Sequence, residues 1–231
     1  DVTVEVPDIA SAYKSRMRVA DLSSPAELKI FRDATDQVKK AGIEYRNNMD
    51  VIEIRMDAPT LDDTRPDNER VVDAIEEKTG IEKVSLPYSV MRKMAHVLRV
   101  SDFHVKCVVR TTGKNVFVYD MLPATVDVVI GGLAVDIGTT TVSAVLLNMK
   151  TGEILGKASS GNGQIRYGAD VINRIIESQK PGGGKRLQDA VIKETINPLI
   201  QEICRAAKFP KSHIYRMAVA GNTTMNHLLF G

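Results

Sequence analysis

Two turns in the C-terminal half of the chain carry residue types that hold phosphate. The first is Asp136-Ile-Gly-Thr-Thr-Thr141. It joins one apolar run, Leu133 to Val135, to another, Val142 to Leu147. Two strands joined by so short a turn form a hairpin. A glycine at Gly138 lets backbone N–H groups come close to an anion. The hydroxyls of Thr139, Thr140 and Thr141 can donate to phosphate oxygens, and Asp136 can hold a hydrated Mg²⁺. An ordinary hairpin with a threonine-rich edge has the same pattern. The second turn is Gly221-Asn-Thr-Thr224, between an apolar strand, Ile214 to Ala220, and a helix expected to begin near Thr224 or Met225. A strand, a glycine turn and a helix N-terminus make an anion site by geometry alone. Gly221 permits close approach, Asn222 offers a donor and an acceptor, and Thr223 can cap the helix. A plain threonine-capped helix start is the alternative.

Other residues carry weaker signals. Asn162, Gln164, Arg166, Tyr167 and Asp170 form a polar cluster after the third strand of the same region, with functional and bland readings both open. Asp170 and Arg174 are spaced as an i,i+4 pair, worth a few tenths of a kcal/mol on a solvated helix. Gly184-Lys185 lacks the upstream glycine and the following Ser/Thr of a P-loop. The carboxylates Asp57, Asp62, Asp63 and Asp67 do not fit a Ca²⁺ loop and read as a solvated segment. His96, His104, His213 and His227 are scattered, which suits structural or exposed roles. Cys107 and Cys204 are far apart in apolar patterns and read as buried free thiols.

Three segments resemble a known family. Asp136 to Thr141 resembles the first phosphate motif of the superfamily of actin, heat-shock chaperones and sugar kinases. Asn162-Gly-Gln-Ile-Arg-Tyr-Gly-Ala-Asp-Val-Ile-Asn-Arg-Ile175 and Ala220-Gly-Asn-Thr-Thr-Met-Asn-His-Leu-Leu-Phe-Gly231 look like the ATP-dependent reductive activators of corrinoid proteins. A looser match covers Ala58 to Arg70. The resemblance implies an α/β fold: a small α/β middle domain followed by the first part of an actin-like (ribonuclease-H-like) ATPase domain. It implies a parent protein that uses ATP and Mg²⁺ to drive one-electron reduction of Co(II) corrinoid protein to Co(I). A 2Fe–2S cluster would sit in a domain ahead of this chain, and the second phosphate motif and adenosine site behind it. The corrinoid protein is the implied partner, and the full-length protein could be a homodimer. By the same resemblance Asp136 and Asn222 would be catalytic, with Asp136 acting on Mg²⁺ through water. Gly138, Thr139, Thr140, Thr141, Gly221 and Thr223 would bind the nucleotide. The alternatives are a sugar- or acyl-kinase-like phosphotransferase and a non-catalytic module that binds corrinoid protein.

The elements that must position these residues can be read in order. Val2 to Val6 alternates as a strand. Ser24-Pro-Ala-Glu27 caps a helix that carries Leu28, Phe31, Val38 and Ala41 and stops at Gly42. Val51 to Met56 is a strand with Ile52, Ile54 and Met56 on one face, and Ala58 to Asp67 is a loop. Helices are expected over Glu69 to Thr79, with Val71, Val72 and Ile75 inward, and over Pro87 to Arg99, with Val90, Met91, Met94 and Leu98 inward. Phe103 to Arg110 and Val116 to Met121 form a hairpin. After the phosphate hairpin comes a third strand, Ile154 to Ser160, then one helix from about Gln164 to Gln179 with Ile165, Val171, Ile172, Ile175 and Ile176 inward. A long helix follows from Lys185 to Lys208, which Pro198 should kink and Asn197 should cap.

This gives a linker strand and helix over 1–42, a middle domain over 43–125 and the N-terminal part of the ATPase domain over 131–231. The 231 residues are 43% hydrophobic and 26% charged with a net charge of +2. That balance suits a soluble protein and points to neither nucleic acid nor an anionic membrane. Asp127, Asp136 and the threonines interrupt the most apolar window, and no signal-peptide pattern is read, so a cytoplasmic setting is expected. A chain starting at Asp1 without Met reads as a piece of a longer protein. With half a phosphate cleft, the 231-residue chain alone should show negligible ATP hydrolysis. Robust Mg²⁺-dependent turnover by the purified chain would overturn that expectation.

Overall fold

The computed structural model describes Arg18–Val19, Gln37, Lys40 and residues 48–231. The expected strand at Val2 to Val6, the Ser24 cap and the Gly42 stop lie outside the described residues. The chain divides into two compact units.

One unit spans Glu44–Ile130 with Met149–Thr151. Its strands are β2 (Met49–Arg55), β3 (Lys83–Ser85), β4 (His104–Thr112) and β5 (Asn115–Pro123), in the order β2-β4-β5-β3. β2, β4 and β5 are antiparallel neighbours, and β3 lies parallel to β5. Helices α1 (Asp67–Thr79) and α2 (Tyr88–Val100) supply the rest of the core. Ile54, Val71, Ile75, Met94, Leu98, Val105, Val116 and Met121 meet there. Each fully buried aliphatic side chain contributes roughly 1.5–3 kcal/mol. Gly80 ends α1 with φ 69°, and its N–H donates to the Glu76 carbonyl at 2.7 Å. The three-residue β3 is too short to show a period in sequence. Met91, expected inward, is exposed, and Val97 takes that place in the core.

The loop over residues 56–66 is pinned rather than merely solvated. Arg70 is 3% exposed. Its guanidinium donates to the carbonyls of Asp63 at 2.6 Å and Arg65 at 3.1 Å, and to the Asp63 carboxylate at 2.8 Å. Arg65 also binds Asp63, and Asp67 binds Arg99.

The other unit contains Gly131–Asn148 and Gly152–Gly231. β6 (Gly131–Ile137), β7 (Thr141–Asn148) and β8 (Ile154–Gly161) form an antiparallel meander, and β1 (Arg18–Val19) adds to β8. After β8 the chain crosses back through helices, and β9 (Ile214–Gly221) pairs parallel to β6. The order is β1-β8-β7-β6-β9. A meander whose first strand carries a parallel fourth strand on its other side is the ribonuclease-H-like arrangement. The molecule is therefore mixed α/β, a small α/β unit and the opening sheet of an actin-like domain.

The helices between β8 and β9 depart from expectation. The single helix expected over Gln164 to Gln179 is two pieces, a 3-10 turn (Gly163–Tyr167) and α3 (Val171–Ser178). Gly168 separates them, and a Cβ there would lie 2.7 Å from the Arg174 nitrogen. α3 is also inverted: Arg174 and Glu177 are buried, while Ile172 and Ile176 are 65% and 51% exposed. The long helix is α4 (Gly183–Val191), a π turn (Ile192–Ile196) and α5 (Asn197–Ala206). Asn197 has helical φ −62° and ψ −46°, so it is not a cap. Pro198 lacks an N–H and crowds the preceding turn, and the wider π turn just before it absorbs the mismatch. Leu187, Val191, Leu199 and Ile203 from these helices cover one face of the sheet with Leu133, Val135, Ile137 and Leu146.

The Arg70 pin has a pH signature. Hydrogen bonds from Arg65, then Arg70, hold the Asp63 carboxyl well below the usual carboxylate range. A lowered folded value adds stability above the unfolded value of about 3.9, and this is lost as pH falls through the folded value. Between about pH 5 and about pH 2, urea denaturation should show a larger loss for the wild-type chain than for Asp63→Asn. Equal losses would mean that the ion pair is idle.

Candidate functional site

β6 and β9 end together. Ile137 lies beside Gly221 and Asp136 beside Ala220 in the parallel register. Both expected turns therefore sit at one edge of one sheet, where open α/β sheets take ligands. They touch: Asn222 Nδ2 donates to Thr139 Oγ1 over 3.3 Å.

The first turn is closed by the Gly138 N–H, which donates to the Thr141 carbonyl at 2.9 Å. Gly138 is needed for space. A Cβ there would stand 2.5 Å from the Thr141 carbonyl oxygen, a backbone atom that cannot swing away. Thr139 is half-buried, while Thr140 and Thr141 are exposed. Asp136 alternates with the buried Val135 and Ile137, so it faces away from the core on the exposed side of the sheet, beside Ser143. Its carboxylate has no hydrogen bond or ion pair among the described residues.

The second turn is capped differently from the sequence expectation. α6 (Thr223–Phe230) begins at Thr223, not at Thr224 or Met225. Asn222 is the cap: its backbone is extended and its side-chain oxygen accepts from the Met225 N–H at 2.9 Å. Thr223 is the first helical residue, so its hydroxyl does not serve as the cap.

Below the first turn lies the polar cluster that the sequence left open. Asn162, Gln164 and Arg174 are each 0% exposed. Asn162 Nδ2 donates to the Gly138 carbonyl at 2.9 Å, and the Asn162 N–H to the Thr140 carbonyl at 2.8 Å. The Arg174 guanidinium donates to the Thr139 carbonyl at 2.5 Å and the Gly168 carbonyl at 2.9 Å, and it lies 3.3 Å from Gln164 Oε1 and from Met225 Sδ. Asp170 immediately precedes α3. Its carboxylate caps α3, accepting from the Asn173 N–H at 2.8 Å. Arg166 pairs with Glu194 and lies over the Tyr167 ring, on the outer side of this cluster. Arg174 was missed as a site residue. The available signal was a lone arginine amid Val171, Ile172, Ile175 and Ile176.

Both cysteines are buried free thiols. Burial foremost, with the Asp120 carboxylate adding, pushes the Cys107 thiol up to about 12. Burial also raises Cys204. Neither is poised as a thiolate ligand or nucleophile.

Residues 38–126 match the family model described as the RACo linker region, and residues 131–231 match the RACo middle region. The chain belongs to the RACo family. Residues 43–125, labelled the middle domain in the sequence reading, thus carry the RACo name "linker", and the RACo name "middle" falls on the actin-like sheet. The corrinoid activation enzyme RamQ of Eubacterium limosum is 37% identical over 98 residues, which cover 42% of this chain and 16% of that protein. A solved structure described as a reductive activator for corrinoid, iron-sulfur protein matches with a TM-score of 0.65 at 32% identity. That match covers 80% of this chain and 29% of the other. The chain thus spans under a third of the length of either relative.

The cap assignment can be tested by denaturation. Asn222→Ala should cost about 1 kcal/mol, and Thr223→Ala less than about 0.5. The reverse order would return the cap to Thr223.

Proposed function

We propose that the chain forms one wall of the ATP site in a protein that drives one-electron reduction of Co(II) corrinoid protein to Co(I). The observation that carries the ATP part is the paired turns, with Asn222 bonded to Thr139 and with the Thr139 and Thr140 N–H groups lacking an acceptor among the described residues. The reductive part follows from the names of the relatives, a corrinoid activation enzyme and a reductive activator for corrinoid, iron-sulfur protein. Those names favour activation over phosphotransfer.

In this reading the Thr139 and Thr140 N–H groups and the threonine hydroxyls hold phosphate oxygens. Gly221, Asn222 and the first N–H groups of α6 present positive partial charge near the terminal phosphate. Asp136 fits a magnesium site, being exposed, unpaired among the described residues and at the same sheet edge. A bare carboxylate repels phosphate, so Asp136 acts on the ion through water, since Mg²⁺ keeps several waters. Bound nucleotide supplies differential affinity for two states of the protein, which is how ATP can favour an uphill electron transfer.

The 2Fe–2S ligands must lie in the longer protein, because this chain offers only the buried Cys107 and Cys204. The corrinoid protein as partner, a homodimer of the full-length protein and a cytoplasmic setting belong to the same proposal. No helix among the described residues is long and apolar enough to cross a membrane.

In the full-length protein, Asp136→Asn should slow ATP-driven formation of Co(I), followed by its absorbance, by roughly tenfold or more. Folding and the iron–sulfur spectrum should not change. An unaltered rate in the folded variant would remove Asp136 from the site.

A further inference from the structure

In the first turn the Thr139 and Thr140 N–H groups have no acceptor among the described residues, yet nothing in Asp-x-Gly-Thr-Thr-Thr fixes their direction. A peptide unit can flip about its flanking bonds and point either its N–H or its C=O at a given side. Across a trans peptide the two point in opposite directions, and there are no cis peptide bonds among the described residues. Whatever holds the carbonyl of one residue on one side therefore fixes the N–H of the next residue on the other.

All four carbonyls of the turn are held. That of Gly138 accepts from Asn162 Nδ2 at 2.9 Å, that of Thr139 from Arg174 at 2.5 Å, that of Thr140 from the Asn162 N–H at 2.8 Å, and that of Thr141 from the Gly138 N–H at 2.9 Å. The first two holds orient the N–H groups of Thr139 and Thr140, the two without an acceptor among the described residues. We propose that Asn162 and Arg174 are positioning residues: they clamp the turn by its carbonyls from the buried side and so aim the Thr139 and Thr140 N–H groups at a phosphate. The inference rests on the ATP-site reading above and adds to it the device that sets the site.

The clamp is itself built. Asn162 is fixed because its Oδ1 accepts from the Gln164 N–H at 3.0 Å. Gln164 Nε2 donates to the Leu187 carbonyl of α4 at 3.1 Å. The next residue is tied to the π turn, since the Gly163 N–H donates to Thr195 Oγ1 at 3.0 Å. That hydroxyl donates in turn to the Ala190 carbonyl at 2.8 Å. Arg174 reaches Met225 Sδ as well as the Thr139 carbonyl, so one guanidinium touches the first turn and the helix behind the second. The buried planar fork is suited to several acceptors at once, which a single ammonium is not. The inverted burial of α3 follows from this. That helix turns its arginine to the turn, and its isoleucines face outward.

The test uses the full-length protein with Mg-ATP, Mg-ADP and adenosine as probes in titration calorimetry. Asn162→Asp keeps the acceptor for the Gln164 N–H and removes the donor to Gly138. Arg174→Lys keeps the charge and loses the fork. In variants shown folded by circular dichroism, affinity for Mg-ATP and Mg-ADP should fall by about tenfold while that for adenosine stays at the wild-type value. A role in stability alone would lower the melting temperature and leave this selectivity untouched. Folded variants that bind Mg-ATP as tightly as the wild type overturn the clamp and leave the ATP site standing. A wild-type protein that binds no Mg-ATP sinks the ATP site and the clamp with it. Should either variant fail to fold, amide exchange in the wild type decides. Thr139 and Thr140 should exchange readily when free and be protected by Mg-ATP, and unchanged exchange overturns the proposal.

Discussion

The parallel pairing of β6 with β9 is the constraint on which the candidate site depends. The two turns are 83 residues apart between Thr139 and Asn222, and only the register that sets Ile137 beside Gly221 brings them into hydrogen-bond reach. A shift of one residue would turn Asp136 toward Leu187 and Leu199 and put Val135 in water, because side chains alternate along a strand. The register is held by burial: Leu133, Val135 and Ile137 all face the helix layer. Packing on one face of the sheet thereby fixes where a charged group stands on the other.

That same helix layer supports the turn from below. In a packed core a buried arginine, asparagine and glutamine are costly unless their polar atoms are bonded. Here the acceptors for those donors are mostly backbone carbonyls, two of them in the first turn. The usual relation between core and site is reversed: the turn satisfies the buried groups as much as those groups shape the turn. Loss of one donor would leave a carbonyl bare at the edge of the core, free to exchange its direction for that of the neighbouring N–H. Position and polarity of the site are thus coupled to the solvation of three side chains that no ligand would touch.

Most elements were legible because their signals are local. Alternation marked β2, runs joined by short glycine turns marked the two hairpins, and Gly80 closed α1 where a left-handed residue was needed. The failures share a physical cause. Periodicity cannot tell which side of an amphipathic helix is inward, and α3 places its charged side there. The single helix expected over Gln164 to Gln179 breaks at Gly168, and the Asp170 carboxylate caps the second piece. Pro198 signalled a break, yet the chain solved the mismatch with a π turn rather than a new cap. In the loop over residues 56–66, Asp57 and Asp62 are exposed as expected, but the Asp63 carboxylate is held by the buried guanidinium of Arg70, which sequence spacing does not reveal.

The site was legible in types and not in roles. Asp136, Gly138, Thr139 and Asn222 meet at one edge, as a phosphate site needs, but two of them carry tasks the motif does not spell out. Gly138 is there because backbone passes too close for a Cβ, and Asn222 spends its oxygen capping α6 while its amide bridges to Thr139. A motif records which atoms a ligand would meet. It is silent on what keeps those atoms facing the ligand, since that work falls to residues remote in sequence whose contacts exist only once the fold forms. Arg174, 35 residues from Thr139, illustrates the point. Its guanidinium serves four acceptors, the carbonyls of Thr139 and Gly168, Gln164 Oε1 and Met225 Sδ, while Ile172 and Ile176 lie on the exposed side of the same helix.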